Sequence, residues 1–165
     1  MDTYKEQIVK IKRTGSSFML STLVWFLALS ITAVLIMFIP RLAVLIAALL
    51  FYGAIYINQR FNIEYEYILT NGELDVDKIL AQRSRSRLFT LKCADIEAVG
   101  QYKKGMKLGE QVYMCCNADD EDAFFLRARD KKGKPICVVI APNEKMKDAI
   151  KPYLSRIIQR NAFEK

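Results

Sequence analysis

Two long apolar stretches near the amino terminus constrain this chain more than any other feature. Residues 18–39 contain no charged side chain, residues 42–57 contain none either, and only Pro40 and Arg41 separate them. A bilayer core of about 30 Å requires roughly 20 apolar residues in a helix, so the first stretch is long enough to cross it. The second is shorter by that measure.

The break at Pro40-Arg41 predicts a transmembrane helical hairpin over residues 18–57 with its turn at 40–41. Asn58 and the long stem of Arg41 complete the second span at its two ends. Neither span carries an ionisable residue, which favours an anchor over a transporter. A cleaved signal peptide is disfavoured because the first apolar run is too long and Pro40-Arg41 is a poor cleavage site.

The charges that flank the spans predict the orientation. Four basic residues precede the first span, one follows the second, and one lies in the turn: Lys5, Lys10, Lys12 and Arg13, then Arg60, and Arg41. The positive-inside rule therefore predicts a multi-pass cell-membrane protein with both termini in the cytoplasm.

The leader over residues 1–17 supports two interpretations. Tyr4, Ile8 and Ile11 share one helical face, so a short amphipathic helix on an anionic leaflet is one prediction. The alternative is a frayed cytoplasmic leader that only sets the topology.

After Arg60 the apolar period changes from that of a helix to that of a strand. Asn71-Gly72 is a strong signal for a tight hairpin turn. Alternation and turn residues predict seven short strands, which are residues 63–69, 73–77, 85–92, 96–102, 111–117, 123–129 and 135–141.

The last segment, residues 143–162, has the period of an amphipathic helix. Its apolar stripe consists of Met146, Ile150, Tyr153, Leu154, Ile157 and Ile158. Asn143 is a good N-cap, and Pro152 predicts a kink or a division into two helices.

The order of seven antiparallel strands and one C-terminal amphipathic helix resembles a pleckstrin-homology-like (PH-like) domain. The run from Arg83 to Leu91 followed by Ile96-Glu97-Ala98-Val99, and the run from Tyr65 to Leu74, are similar to passages of bacterial PH-like domains. Two spans placed before such a domain resemble the same bacterial membrane group. The fold class predicted is an α+β membrane protein, with the transmembrane hairpin followed by a seven-stranded PH-like domain over residues 60–165. The resemblance implies a fold and a location more than an activity.

The PH-like resemblance also raises the question of phosphoinositide binding. PH domains that bind phosphoinositides hold the headgroup with basic residues in a roomy loop between strands one and two. On the strand assignment above, that loop is the turn Asn71-Gly72, flanked by Glu73 and Asp75, which has neither room nor charge for a phosphate.

An up-and-down meander would place every second loop at the bilayer, where anionic headgroups attract basic side chains. The predicted membrane-facing or partner-binding residues are Arg83, Arg85, Lys103, Lys104, Lys107, Lys131, Lys132 and Lys134. The loops predicted at the far end carry Asp95, Asp119, Asp120, Glu121 and Asp122. The alternative is ordinary solvated loops, with Arg85 and Arg87 pairing across strands with Asp75 and Asp77.

The composition provides no constellation for catalysis. The chain has no histidine, no phosphate-binding glycine motif and four cysteines without metal spacing, so neither an enzyme nor a cofactor or metal site is predicted. The cysteines, Cys93, Cys115, Cys116 and Cys137, are expected to be reduced and buried. Basic loops without interleaved aromatics argue against nucleic-acid binding.

The function predicted is a non-catalytic, membrane-anchored interaction or scaffold module at the inner face of the bacterial membrane. The expected partners are the lipid bilayer, anionic lipid headgroups and an unidentified protein. The alternative is a structural subunit that packs its hairpin into a larger membrane complex.

Overall fold

Eight strands in two four-stranded sheets and four α-helices make up the part of the chain that the computed structural model describes, residues 2–109, 111–129 and 133–163. The chain divides into two compact units. The β-unit contains residues 1–11, 64–79 and 85–165, and the helical unit contains residues 12–63 and 80–84.

The first sheet has the order β1-β2-β3-β4. Its strands are β1 Tyr4–Lys10, β2 Ile63–Thr70, β3 Glu73–Leu80 and β4 Ser84–Lys92. Asn71 and Gly72 both have positive φ, at 47° and 85°, as a two-residue hairpin turn between β2 and β3 requires. The turn predicted from Asn71-Gly72 is therefore present.

The leader forms strand β1, so the prediction of a short helix there is wrong. β1 pairs antiparallel with β2 over its whole length, from Tyr4 opposite Thr70 to Lys10 opposite Glu64. The count of seven strands is corrected to eight for the same reason. The loop between strands one and two is consequently the long segment that carries both apolar helices, and not the turn Asn71-Gly72.

The second sheet has the order β5-β7-β8-β6. Its strands are β5 Ala98–Gln101, β6 Val112–Met114, β7 Phe124–Arg129 and β8 Pro135–Ile140. β7 runs antiparallel to β5 and β8, whereas β6 runs parallel to β8. β5 and β6 therefore run in the same direction, and the chain between them must cross from one end of the sheet to the other. The simple meander predicted from the sequence is wrong for this sheet.

The main core lies between the inner faces of the two sheets. Fully buried side chains include Tyr67, Leu69 and Val76 from the first sheet and Val138 and Ile140 from the second. Tyr67 also donates its hydroxyl to the carbonyl of Cys115 at 2.7 Å, so its polar atom is satisfied inside the core.

The β5–β6 connection forms a second, smaller core. Its Leu108 packs with Cys137 and Val139 of β8, and with Cys116 and Ala123. The outer face of the second sheet is thus covered by the crossing segment, which explains why that segment contains an apolar residue among its lysines.

The C-terminal segment divides at Pro152, one of the two outcomes expected. Helix α3 spans Glu144–Ile150, a short 3₁₀ turn covers Lys151–Tyr153, and α4 spans Arg156–Phe163. Asn143 caps α3 by accepting from the amide of Met146 at 2.8 Å. Most of the predicted stripe is buried, but Ile157 is exposed.

In the helical unit, α1 spans Gly15–Phe38 and α2 spans Pro40–Gln59. Only Ile39 lies between them, so the turn falls one residue before the predicted 40–41, with Pro40 at the start of α2 where its missing N–H costs nothing. Small residues make the contact between the helices, since Ala28, Ala43 and Ala54 are buried.

Gln7 fixes β1 to the rest of the β-unit from its inward face. Its side-chain amide donates to the carbonyl of Ala141 at 2.9 Å and accepts from the amide of Asn143 at 2.8 Å. Gln7→Ala is expected to lower the free energy of unfolding by about 1–3 kcal/mol, because two hydrogen bonds at roughly 0.5–1.5 kcal/mol each are lost. Urea unfolding of the full chain in detergent measures this.

Lys5→Ala is the matched control for Gln7→Ala, since Lys5 lies on the same strand with an exposed side chain. An equal loss of stability in the two variants would contradict the role assigned to Gln7.

Candidate functional site

The end of the helical unit where α1 begins and α2 ends is closed by polar side chains. Ser21, buried within the unit, donates its hydroxyl to Asn58 Oδ1 at 3.0 Å. Arg13 donates to the same Asn58 oxygen at 3.2 Å and to Asn62 Oδ1 at 2.8 Å. One guanidinium therefore joins the segment before α1 to the segment after α2, which fixes the base of the hairpin.

Basic residues collect at that same base. The turn between β3 and β4 belongs to the helical unit, where the amide of Ala81 donates to the carbonyl of Asn62 at 2.9 Å. This brings the turn that contains Arg83 to the segment after α2, in the same unit as Arg13 and Arg60. At the other end of the hairpin, Arg41 is the one basic residue among the described residues.

Within the β-unit, the described members of the predicted basic set do not all lie on one surface. Arg85, in the first sheet, lies with Nη2 2.8 Å from Glu66 Oε2. Lys104 pairs with Asp119 at 2.8 Å, which is an acid of the loop predicted at the opposite end. Lys103 neighbours Lys104 and is exposed. The parity argument fails at these lysines because β5 and β6 are parallel.

The remaining members of the predicted set lie elsewhere. Lys107 and Lys134 line one groove together with Arg127, which was not among the residues predicted from the sequence. Lys131 and Lys132 lie outside the described residues.

The acidic loop after β6 is held by hydrogen bonds within the β-unit. Asn117 donates its side-chain amide to the carbonyl of Lys10 at 3.3 Å, and its backbone amide to Asp120 at 3.0 Å. The loop therefore lies against the carboxyl-terminal end of β1.

The outer face of the first sheet carries a row of paired charges. Glu66 is only 1% exposed and Asp77 only 4%. Arg87 reaches Asp77 at 3.0 Å and Asp75 at 2.9 Å, so the cross-strand pairing with Asp75 and Asp77 considered for the two arginines is present for Arg87, whereas Arg85 pairs with Glu66 instead. Buried carboxylates require such partners because desolvation disfavours their charge.

Glu66 is the carboxyl whose protonation the surroundings alter most clearly. Burial raises its pKa, a hydrogen bond with the Glu6 carboxyl and the nearby Asp77 raise it further, and Arg85 opposes the shift. The pKa of Glu6 is lowered instead, chiefly by the Tyr4 hydroxyl, which donates to it at 2.8 Å. Of the two carboxyls, Glu66 is therefore the one that takes up a proton first as the pH falls.

The four cysteines are all buried and unpaired, as predicted. Burial raises the pKa of Cys93 to about 11 and the pKa of Cys115 and of Cys116 to about 12. Thiols with such pKa values are poor nucleophiles at neutral pH. In the described part of the chain, no group of three or more acidic, cysteine or histidine side chains is placed to hold a metal ion.

Two sheets around a shared core, closed by a C-terminal helix and carrying an apolar helical hairpin in the first interstrand loop, define a PH-like domain with a membrane-type insertion. The chain belongs to the family described as Bacterial PH-like domain (DUF6106), which matches residues 1–160. The match includes β1 and both apolar helices. No curated protein and no solved structure matches the chain.

Proposed function

We propose that this chain is a non-catalytic interaction or scaffold module, anchored by its hairpin, whose PH-like domain lies at the inner face of the bacterial membrane. PH-like domains are generally interaction modules, and the family assignment supports that function here. The observation that carries the placement is the pairing of β1 with β2, because the two apolar helices lie between these strands in the chain.

The helices have the properties of spans. They contain 24 and 20 residues, and only 11% of the most apolar window of each is buried within the structure. The core helix of a soluble protein would be mostly buried, so this apolar surface requires another cover. A bilayer provides it, and every backbone polar group within such a helix is satisfied internally.

The β1–β2 ladder supports a topology with two crossings. Strands that share a ladder must lie on the same side of the membrane, and two spans return the chain to the side from which it started. The same ladder argues against a cleaved signal sequence, since cleavage after α1 would remove β1 and expose the edge of β2. Arg13, Arg60 and Arg83 at the base, against Arg41 at the tip, favour the cytoplasm for that side.

Contact with anionic lipid headgroups is part of the proposal. Arg83 supports it best, because the helical unit places its turn at the base of the hairpin. For the other seven predicted residues this part of the proposal rests on the sequence alone.

Thiol labelling of two variants, each with one additional cysteine introduced by substitution, tests the topology. Arg41→Cys lies at the hairpin tip and Asp95→Cys on an exposed part of the β-unit, while the four native cysteines are buried and give little background. In right-side-out vesicles, a membrane-impermeant maleimide is expected to label Arg41→Cys and not Asp95→Cys. Inside-out vesicles should give the reverse.

Labelling of both positions from one side would contradict the two-span topology. A reversed pattern would place the PH-like domain outside the cytoplasm.

The unidentified protein partner is tested by purification in mild detergent. A scaffold module should retain its partner when the hairpin is exchanged for an unrelated two-span anchor joined at the same residues. Loss of the partner on that exchange would favour the structural-subunit alternative.

A further inference from the structure

An open groove of about 900 Å³ lies on the β-unit between the β5–β6 crossing segment and the beginning of β8. Leu108 and Gly109 of the crossing segment line it, together with Pro135, Ile136 and Cys137 of β8. Its volume falls within the roughly 300–1,000 Å³ that is usual for small-molecule sites.

The floor of this groove is apolar. Leu108, Ile136 and Cys137 are each less than 8% exposed, so they are held by the packing beneath and do not depend on a ligand for their position. Leu108 and Cys137 belong to the second core. The groove is therefore a preformed feature of the fold.

The charged residues of the lining are predominantly basic. Among the lining residues that the structure describes, Lys107, Arg127 and Lys134 are basic and Glu97 is acidic, which gives a formal charge of +2. Glu97 accepts from Arg129 Nε at 2.7 Å, so its charge is already offset by a cation next to the groove. A low-polarity floor below these cations strengthens their attraction for an anion.

Arg127 is held in place by two contacts. Its guanidinium stacks over the Phe125 ring at 5.7 Å, and it also hydrogen-bonds the thiol of Cys137, where its charge partly offsets the rise in pKa that burial causes. A guanidinium fixed in this way loses less side-chain entropy when it binds an anion.

An extended peptide has little backbone to pair with in the groove. β6 pairs with residues 137–139 of β8, which leaves Pro135 beyond the end of that ladder on the same side. Pro135 has no N–H to donate, so an added strand would lack that hydrogen bond. Recognition must therefore rely on the side chains and favours a small anion.

From this arrangement we propose that the groove binds a phosphate monoester. Such a group carries a charge of about −1.5 to −2 at neutral pH, opposite in sign to the net charge of the described lining residues. Its oxygens accept charge-assisted hydrogen bonds from Arg127 and Lys107, and the remainder of the ligand lies on Leu108 and Ile136. The phosphate comes from a lipid headgroup or from a soluble phosphate, and the site does not depend on the anchor function proposed above.

Calorimetric titration of the full chain in phosphatidylcholine nanodiscs tests the site. The probes are inorganic phosphate, dihexanoyl phosphatidic acid and, as the uncharged control, dihexanoyl phosphatidylcholine, each corrected with empty nanodiscs. Saturable binding of at least one phosphate probe is expected. Lys107→Gln and Arg127→Gln should each weaken it by about tenfold, the effect of losing one charge-assisted hydrogen bond.

Lys103→Gln is the matched control, since it removes the same charge from the same segment but does not line the groove. The dissociation constant of Lys103→Gln for the phosphate probes should stay within about twofold of that of the parent, as expected for an exposed charge. Arg127→Lys retains the charge and should bind better than Arg127→Gln, which separates a lost contact from misfolding.

Tighter binding of phosphatidic acid than of inorganic phosphate would support the proposal and indicate that the phosphate belongs to a lipid headgroup. Equal binding of the two probes would support the proposal and indicate a soluble phosphate. Absence of saturable binding by both phosphate probes overturns the proposal. An equal loss in Lys103→Gln also overturns it, because general charge would then explain the binding.

Discussion

Gly72→Val is expected to destabilise the β-unit by about 2–6 kcal/mol, since two penalties of roughly 1–3 kcal/mol each combine at this position. The first is backbone strain, because Gly72 has φ of +85°, which a β-branched residue rarely adopts. The second is a clash, because a Cβ at this position would lie 2.6 Å from Cδ1 of Tyr153. Tyr153 is the last residue of the 3₁₀ turn that contains Pro152, so its ring has little freedom to withdraw.

Gly105→Val is the matched control for Gly72→Val. Gly105 has φ of +88° but no atom within 4 Å of its would-be Cβ, so the control carries the strain without the clash. Urea unfolding of the full chain in detergent, followed by near-ultraviolet circular dichroism, compares the two. Equal losses would show that the contact with Tyr153 contributes nothing.

The unfolding of Gly72→Val and of Gly105→Val must be measured on the full chain, because a fragment that begins at residue 60 lacks β1. Such a fragment would leave the edge of β2 open for pairing with another molecule. Its stability would then report on the missing strand as much as on the substitution.

Most strands of the β-unit were predictable because their signals are local. Period-two alternation and the turn at Asn71-Gly72 located β2 to β8, and Asn143 and Pro152 located the start and the division of the C-terminal helix. β1 was missed because Tyr4, Ile8 and Ile11 also fit a helical face. A seven-residue segment is too short for its length to decide between the two periods.

The placement of the basic loops depended on information that the sequence does not carry locally. A parallel pair needs a crossover connection, and nothing in residues 102–111 distinguishes such a connection from a hairpin loop. Lys104 consequently lies beside Asp119, and Lys107 lies with Lys134. The pairing of Arg87 with Asp75 and Asp77 was accessible, since β4 and β3 are neighbouring strands. Arg85 instead reaches past β3 to Glu66 on β2, which the sequence alone does not indicate.

Arg85→Gln is expected to lower the free energy of unfolding by about 1–3 kcal/mol at neutral pH, the cost of a buried carboxylate without its cation. Arg85 is the cation that opposes the raised pKa of Glu66, so its loss raises that pKa further. The buried Glu66 then stays next to Glu6 and Asp77 with less compensation for its charge.

The pH dependence of this loss follows from the sign of the shift. A carboxyl whose pKa is higher in the folded state than in the unfolded state, where it is about 4.3, stabilises the fold only while it is protonated. That stabilisation is fully present below about pH 4.3 and disappears as the pH rises through the folded-state pKa. The difference between Arg85→Gln and the parent should therefore be small at about pH 4.5 and largest at about pH 7.

Adding Glu66→Gln to Arg85→Gln removes the buried charge that causes the penalty. The double variant is expected to unfold at higher urea than Arg85→Gln at neutral pH, and its difference from the parent should depend less on pH. A penalty for Arg85→Gln that is the same at both pH values, and that Glu66→Gln does not relieve, would mean that Arg85 stabilises the first sheet by packing its aliphatic stem and not by compensating Glu66.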